Sequence, residues 1–165
     1  MFSSEQEALR ALKGQDRLSA ANAEAFLWRH WCQSGDLEAD RVFRNGVDAM
    51  QRGELELAET LFGKVLEMAP RFAEGWNKRA TVRYLRQNFA ASIGDCQETL
   101  TRNPNHFGAS AGQGLCHMAL DEYREAVICF AGLWKFIRTC TRCSRTLRWR
   151  NPKHRLVRGI FTDGN

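Results

Sequence analysis

The chain repeats itself at a fixed interval of 34 residues. Three groups share one spacing and stand 34 positions apart: Val42-x2-Asn45-Gly46, Trp76-x2-Arg79-Ala80 and Ser110-x2-Gln113-Gly114. A second set keeps the same phase: Ala58-x3-Phe62, Ser92-x3-Cys96 and Ala126-x3-Phe130. A period of this length is typical of a solenoid, in which each repeat needs its neighbours to bury an apolar face.

Each unit has the pattern of two helices joined by a short turn. Apolar residues recur every three to four positions, as in Leu57, Leu61, Val65 and Met68. Small residues recur at one phase of each helix, where two helices of a hairpin must approach closely. Pro70 and its equivalent in the next unit end a helix, because proline lacks an amide donor and collides with the preceding turn. The pattern predicts helices over 39–52, 55–68, 73–86, 89–102, 107–119 and 122–136.

The period resembles the tetratricopeptide repeat (TPR), whose pattern is W-x2-L-G-x2-Y, then A-x3-F, then P. The residues that fit are Gly46, Gly53, Ala58, Phe62 and Pro70, then Trp76, Ala80 and Pro104, then Gly114, Leu120, Tyr123, Ala126 and Phe130. The resemblance implies an all-α fold, a right-handed α-solenoid of helix-turn-helix hairpins. Its repeats would cover 39–72, 73–106 and 107–140, the last with a degenerate end. The stretches 74–85 and 103–109 are also similar to poorly characterised TPR proteins of bacteria and plants.

The residues before the repeats lack this period. We expect residues 1–20 to form a flexible N-terminus and residues 21–38 to hold a helix, over 21–33, and a linker. Phe26, Leu27, Trp28 and Trp31 give that helix its apolar bulk. It is interpreted as an N-terminal cap packed on repeat one, and the alternative is a tryptophan-based docking site for a partner.

The charge of the chain is concentrated at its C-terminal end. The formal net charge is +5, from 24 Lys and Arg against 19 Asp and Glu. Residues 135–165 hold nine of the basic side chains and one of the acidic ones, so the repeats themselves are mildly acidic. The residues of this basic tail, 137–165, that form an arginine-rich set are Arg138, Arg142, Arg145, Arg148 and Arg150.

The basic tail admits three interpretations. It can be a capping helix, because the terminal repeat of a solenoid exposes an apolar face that needs a cover with a polar outer side. It can bind nucleic acid or another anionic surface, with Trp149 among its arginines. It can also be an unstructured or non-native end, because the composition changes where the repeat pattern stops.

No catalytic set can be assembled from the sequence, so we expect neither an enzyme nor a cofactor. The four histidines are scattered, and neither a Ser-centred elbow nor a close carboxylate pair is found. Cys140-x2-Cys143 lacks the second pair that a structural zinc site needs and the strand-before-helix setting of a redox pair. Cys116 and Cys129 fall on predicted helices and are interpreted as core residues.

Targeting signals are also missing from the sequence. No stretch approaches the roughly 18–20 apolar residues of a membrane span. The N-terminus carries acid where a secretory signal has basic residues followed by an apolar core. These features predict an intracellular protein with reduced thiols, cytoplasmic unless it resides in an organelle.

TPR proteins hold an extended or helical peptide of a partner in the groove lined by the first helix of each repeat. The resemblance therefore implies a non-enzymatic adaptor or scaffold with a protein partner. The residues that it places in the groove are Phe43, Arg44 and Val47, then Asn77, Lys78, Thr81, Tyr84 and Leu85, then Leu115 and Met118, together with Asp40, Glu74, Ala111 and Gly112. Asn77 can donate to and accept from a peptide backbone, and Tyr84 offers an amphipathic surface. The alternative is that Asn77 and Lys78 are simply solvated.

One subset of the family clamps the C-terminal carboxylate of heat-shock chaperones. It uses Lys and Asn at the fifth and ninth positions of its first repeat, Asn at the sixth of the second, and Lys and Arg at the second and sixth of the third. In this chain the five positions hold Phe43, Val47, Lys78, Gly108 and Gly112. Because none matches, we do not expect capture of a chaperone tail.

Overall fold

The computed structural model describes residues 2–14 and 16–137, with side chains as far as Gly132. This part of the chain is helical, without strands, which confirms the all-α fold. The helices are α1 (Glu5–Leu12), α2 (Arg17–Trp31), α3 (Leu37–Gln51), α4 (Leu55–Met68), α5 (Ala73–Leu85), α6 (Phe89–Arg102), α7 (Phe107–Ala119) and α8 (Tyr123–Ile137). The six repeat helices begin and end within two residues of the predicted bounds. None of the described helices combines the length and apolar character needed to traverse a bilayer.

The chain divides into two compact units. The larger unit runs from Trp31 to Leu133 and contains the hairpins α3–α4 and α5–α6, followed by α7 and most of α8. The other unit includes α1 and α2 as far as His30. In it the Ser4 side chain accepts a hydrogen bond from the amide of Glu7, and Leu12 is buried. The sequence leads us to expect a flexible segment over 1–20, and the structure places α1 and the first residues of α2 there instead.

All three hairpins turn through the same backbone geometry. Gly53, Gln87 and Asp121, each 34 residues apart, have φ angles of 78°, 61° and 61°. The residue after each donates its amide to the carbonyl five positions earlier, as from Asn88 to Arg83 at 2.8 Å. These bonds form the Schellman motif that ends many helices. Glycine adopts a positive φ without steric cost, so repeat one has the residue best suited to the turn.

Paired residues of complementary size set how closely the two helices of a hairpin approach. A Cβ atom added to Gly46 would lie 2.8 Å from Cε1 of Phe62. Two repeats later, a Cβ atom added to Gly114 would lie 2.6 Å from Cε1 of Phe130. Carbon atoms in contact lie about 3.5–4.0 Å apart. In both repeats the absence of a glycine side chain therefore makes room for a phenylalanine ring.

Repeat two uses another pair at the same positions. Ala80 and Cys96 are both buried there. Alanine is larger than the glycine of the other two repeats, and cysteine is smaller than their phenylalanine. The Ser92 hydroxyl donates to the Ala80 carbonyl oxygen at 2.8 Å, which ties α6 to α5. The Cys116 thiol donates to Ser92 Oγ at 3.2 Å, and burial raises the pKa of that thiol. The prediction that Cys116 belongs to the core is confirmed.

The buried core of the first two repeats is apolar and rich in aromatic rings. Phe43 and Phe62 lie 5.6 Å apart, and Phe43 and Phe72 lie 5.0 Å apart, between ring centroids. These separations suit tilted and edge-on aromatic pairs. The buried members of this core are Phe43, Ala49, Ala58, Phe62, Val65, Phe72 and Val82.

Ion pairs join α4, α5 and α6 beside this core. The Arg83 guanidinium donates to Glu59 at 2.8 Å and to Asp95 at 2.9 Å. Arg79 makes two further bonds to Asp95, both at 2.9 Å. Burial raises the pKa of Glu59, but Arg83 and Arg86 outweigh that effect and hold the pKa below its usual value. These pairs connect the first repeat to the second.

Substitution of Gly46 by Ala tests the close approach of α3 and α4. We expect the free energy of unfolding to fall by about 1–3 kcal/mol, because the new methyl group must displace the buried Phe62 ring. Urea denaturation followed by circular dichroism measures the change.

The matched control is Gly63→Ala in α4, where nothing lies within 4 Å of the new Cβ atom. There we expect a gain of about 0.5–1 kcal/mol, since alanine is the better residue inside a helix. Equal effects of the two substitutions would contradict the packing account.

Candidate functional site

The first helices of the three repeats, α3, α5 and α7, follow one another in contact and form one face, the first-helix face. The residues that the sequence predicts for partner binding all lie on these helices. They are Phe43, Arg44 and Val47 on α3, Asn77, Lys78, Thr81, Tyr84 and Leu85 on α5, and Leu115 and Met118 on α7. The structure divides them into buried residues and residues that a partner could reach.

Phe43 is buried, so the structure does not offer its side chain to a partner as the sequence predicts. Its side chain is 5% exposed and packs against Phe62 and Phe72 in the core. On α3 the predicted residues that remain accessible are the exposed Arg44 and the partly buried Val47.

Asn77 and Thr81 are also buried, contrary to their predicted contact with a partner. Asn77 is 8% exposed, and its amide nitrogen donates to Glu74 Oε2 at 3.1 Å. The Thr81 hydroxyl donates to the Asn77 carbonyl oxygen at 2.9 Å. Polar groups satisfied within the fold are not free to read a peptide backbone. Burial contradicts the alternative that Asn77 is solvated.

The accessible apolar residues gather toward the C-terminal ends of α5 and α7. Leu85 is 37% exposed, and Tyr84, Leu115 and Met118 are partly buried. The Tyr84 ring packs 5.6 Å from that of Phe89, and burial raises the pKa of its hydroxyl. These four residues, Tyr84, Leu85, Leu115 and Met118, are called the apolar end of the first-helix face. They are the predicted site residues best placed for an apolar contact with a partner.

The opposite, polar end of the face centres on Glu74, whose side chain is fully buried. Its Oε2 accepts hydrogen bonds from Asn77 and from His106, the latter at 2.7 Å, and its Oε1 faces Lys78 Nζ at 3.4 Å. Burial raises the pKa of this carboxyl group, but Lys78, His106 and Asn77 together outweigh burial and hold it below the usual 4.5. Glu74 is therefore an ionised carboxylate inside the protein, compensated from three sides.

The tautomer of His106 follows from its neighbours. Its Nδ1 accepts a hydrogen bond from the backbone amide of Ala109 at 3.1 Å and so caps the start of α7. A nitrogen that accepts carries no proton, so in the neutral ring the proton is on Nε2. That N–H donates to Glu74 Oε2. One side chain thus both caps α7 and links it to α5.

The chain's own residues Trp31–Ser34 lie against this polar end. The Trp31 ring stacks on His106, with centroids 4.8 Å apart, and meets Phe107 at 5.3 Å. The Ser34 amide and hydroxyl donate to Asp40 Oδ1 at 2.8 and 2.6 Å. From the sequence we expect Trp31 to help cap repeat one, whereas its ring contacts residues at the junction of repeats two and three.

Cys32, between Trp31 and Ser34, also lies close to the polar end. Burial raises the pKa of its thiol to about 12, with a further contribution from the Glu74 carboxylate and an opposing one from Lys78. A thiol with so high a pKa is not a reactive nucleophile at neutral pH. Cys32 is therefore a packing residue here.

Asp40 and Glu74 stand 34 residues apart and occupy the same position in repeats one and two. The TPR resemblance places both in the groove, but it does not indicate that Asp40 pairs with Ser34 or that Glu74 pairs with His106. The sequence signal for these two carboxylates is an acidic residue at the same position of two successive repeats, on helices that also carry buried apolar residues. Nothing local in the sequence indicates that Trp31 would reach His106.

Several predicted features lie outside the described residues. The basic tail, with Arg138, Arg142, Arg145, Arg148 and Arg150, is one of them, and Cys140 and Cys143 are another. Within residues 2–14 and 16–132 no group of three His, Cys, Asp or Glu side chains is placed to hold a metal ion.

Comparison with known proteins identifies the fold. No protein-family model matches the chain. A TPR repeat-containing protein of Rhizobium etli is 27% identical over 104 residues, which cover 63% of this chain and 50% of that protein. The chain thus spans about half the length of this curated relative. The predicted closeness to TPR proteins of bacteria and plants in particular stays a prediction.

Two solved structures are similar in fold. The Sgt2 TPR domain from Aspergillus fumigatus gives a TM-score of 0.62 at 20% identity, covering 67% of this chain and 74% of that one. The TPR2B domain of yeast Sti1, solved in a complex with pHsp70, gives 0.60 at 21% identity, covering 62% and 82%. At this identity the likeness shows the fold, and it confirms the arrangement of helical hairpins in a solenoid.

Replacement of Glu74 by Gln tests the buried carboxylate. We expect the free energy of unfolding at pH 7 to fall by about 2–3 kcal/mol, because the ion pair with Lys78 and the charged hydrogen bond from His106 are both weakened. Glu56→Gln, at a largely exposed carboxylate on α4, is the control and should change stability by less than about 0.5 kcal/mol.

The difference between wild type and Glu74→Gln also depends on pH. A carboxyl group whose folded-state pKa lies below 4.5 stabilises the fold above its unfolded-state pKa, and this stabilisation is lost as the pH falls through the folded-state pKa. The two proteins should therefore converge in stability below pH 4.5. A difference that is as large at pH 3 as at pH 7 would refute the buried ionised carboxylate.

Proposed function

We propose that this chain, which belongs to the tetratricopeptide-repeat family, is a non-enzymatic adaptor that binds a partner protein through its first-helix face. The observation that carries the proposal is the apolar end. Tyr84, Leu85, Leu115 and Met118 keep apolar surface accessible on two neighbouring helices. Accessible apolar side chains that gather on one face are typical of a surface that another protein covers.

The chemistry of the face favours a partner segment with apolar side chains on one side. Leu85 and Met118 offer aliphatic and thioether contacts, and the flexible thioether adapts to different shapes. Tyr84 adds a rigid ring with little side-chain entropy to lose. An amphipathic helix laid on such a face, or an extended segment, would bury its apolar residues there.

Among the residues of repeat one that are predicted to line the face, Arg44 is an exposed cation. Lys78 is only partly accessible and is paired with Glu74. A partner with a carboxylate next to its apolar residues would gain an ion pair with Arg44. An ion pair exposed to water contributes little to the free energy of binding. Apolar contact therefore dominates this proposed recognition.

We also propose that the face does not clamp a chaperone tail by its carboxylate. The yeast Sti1 domain of similar fold was solved in a complex with pHsp70, which makes the question specific. The position that would need Lys in repeat one holds the buried Phe43, and a position that would need Arg in repeat three holds the buried Gly112. With Lys78 engaged by Glu74, the cations of a carboxylate clamp are not assembled here.

The experiment that tests the apolar end compares two substitutions of leucine. Leu85→Asp places a charge in the apolar end, whereas Leu57→Asp places the same charge at an exposed leucine of α4. Recovery of bound partners is measured by affinity purification with quantitative mass spectrometry, and circular dichroism checks that both variants keep their helicity.

We expect Leu85→Asp to lower recovery of the specific partner at least about tenfold, since burial of one leucine contributes roughly 1.5–3 kcal/mol. Leu57→Asp should leave recovery unchanged. If the Leu85→Asp variant retains every partner with wild-type helicity, the apolar end is not the binding surface.

A further inference from the structure

The polar end of the first-helix face already holds a peptide segment, and that segment is part of the chain. Trp31 is only 7% exposed, and its ring stacks on His106 and lies tilted against Phe107. The three residues after it continue along Glu74 and Asp40, the acidic residues at the second position of repeats two and one. Cys32 lies near Glu74 and Lys78, and Ser34 is hydrogen-bonded to Asp40.

The aromatic part of this contact has a defined shape and polarity. The His106 ring is fixed in place because Nδ1 caps α7 and Nε2 is bonded to Glu74. A ring that cannot turn presents a flat, preformed surface to Trp31, with centroids at 4.8 Å and planes 25° apart. Preorganisation of this kind lowers the entropy lost when an aromatic side chain binds.

The polar part of the contact accepts hydrogen bonds from the segment. Asp40 Oδ1 receives two hydrogen bonds from one serine, from its backbone amide and from its hydroxyl. Hydrogen bonds to a charged acceptor are shorter and stronger than those between neutral groups. A segment with an aromatic side chain and, three residues later, a residue with two donors satisfies both parts.

We propose that residues Trp31–Ser34 are an intramolecular ligand of the polar end, and that this end recognises a partner segment of the same chemistry. That segment carries an aromatic side chain for the surface formed by His106 and Phe107, followed three positions later by serine or threonine for Asp40. The inference rests on the proposed function and deepens it, because it assigns the polar end a specificity and a resident competitor. A partner must displace Trp31 to bind there.

The strength with which residues 31–34 compete with a partner follows from the length of chain that links them to α3. Five residues, 32–36, separate Trp31 from the first residue of α3. A short link holds a ligand at an effective concentration of about millimolar. A partner segment in solution therefore binds the wild-type chain more weakly than a chain whose own segment has been disabled.

The test uses a synthetic peptide with the sequence of residues 23–35, AEAFLWRHWCQSG. Its affinity is measured by fluorescence anisotropy for the wild-type chain and for the full-length Trp31→Ala variant. We expect the variant to bind the peptide at least about tenfold more tightly than the wild type, because its own segment no longer competes. Equal affinity for the two proteins, or binding to neither, would overturn the proposal.

Matched controls locate the binding. A peptide with alanine in place of Trp31 should not bind the Trp31→Ala protein, whereas a peptide with alanine in place of Trp28 should bind it as the native peptide does. Phe107→Ala, added to the Trp31→Ala protein, should weaken binding of the native peptide. If both altered peptides bind equally well, the aromatic recognition assigned to Trp31 is wrong.

Two further variants keep the test decisive. Ser34→Ala removes one hydrogen bond to Asp40 and retains Trp31, so a chain that needs Trp31 to fold can still be tested. It should bind the peptide more tightly than the wild type, and an unchanged affinity would count against the proposal. Leu85→Asp, added to Trp31→Ala, should leave peptide binding intact, which separates failure of the polar end from failure of the apolar end.

Discussion

The close approach of two helices within each hairpin is the constraint on which the rest of the structure depends. Gly46 admits the Phe62 ring and Gly114 admits the Phe130 ring, and Ala80 and Cys96 fill the same positions in repeat two. Since the second helix is held tightly behind the first, the remaining faces of α3, α5 and α7 are left to meet one another and to form a shared surface. An added methyl group at Gly46 or Gly114 would displace the phenylalanine ring that packs there.

The surface so formed is not uniform. Its polar end depends on one ionised carboxylate, Glu74, which joins α5 to the capping histidine of α7. Its apolar end depends on nothing comparable, and Leu85 remains accessible. A buried charge with several partners fixes geometry, whereas an accessible apolar patch adapts to what covers it.

The sequence predicts the repeats well because periodicity is a property of the whole fold. The helix bounds follow from one 34-residue register. The site is predicted less well, because register says which residues share a face but not which of them the core retains. Phe43 and Asn77 illustrate this limit: one is held by Phe62 and Phe72, and the other by Glu74.

Contacts between distant segments are beyond any periodic argument. Trp31 meets His106 across 75 positions of sequence. Arg79 and Arg83 stand where the TPR pattern has Leu and Tyr, and only the fold shows that Asp95 receives both. In each case the tertiary fold determines which residue the side chain contacts, and the local sequence does not indicate that residue.

We propose that the first-helix face is a binding surface whose polar end is held by the chain's own Trp31. Nuclear Overhauser effects in solution measure the contact on which this proposal depends. We expect cross-peaks from the Trp31 indole protons to the ring protons of both His106 and Phe107 in the wild-type chain. A folded chain in which the Trp31 indole shows neither contact and is open to an aqueous quencher would contradict it.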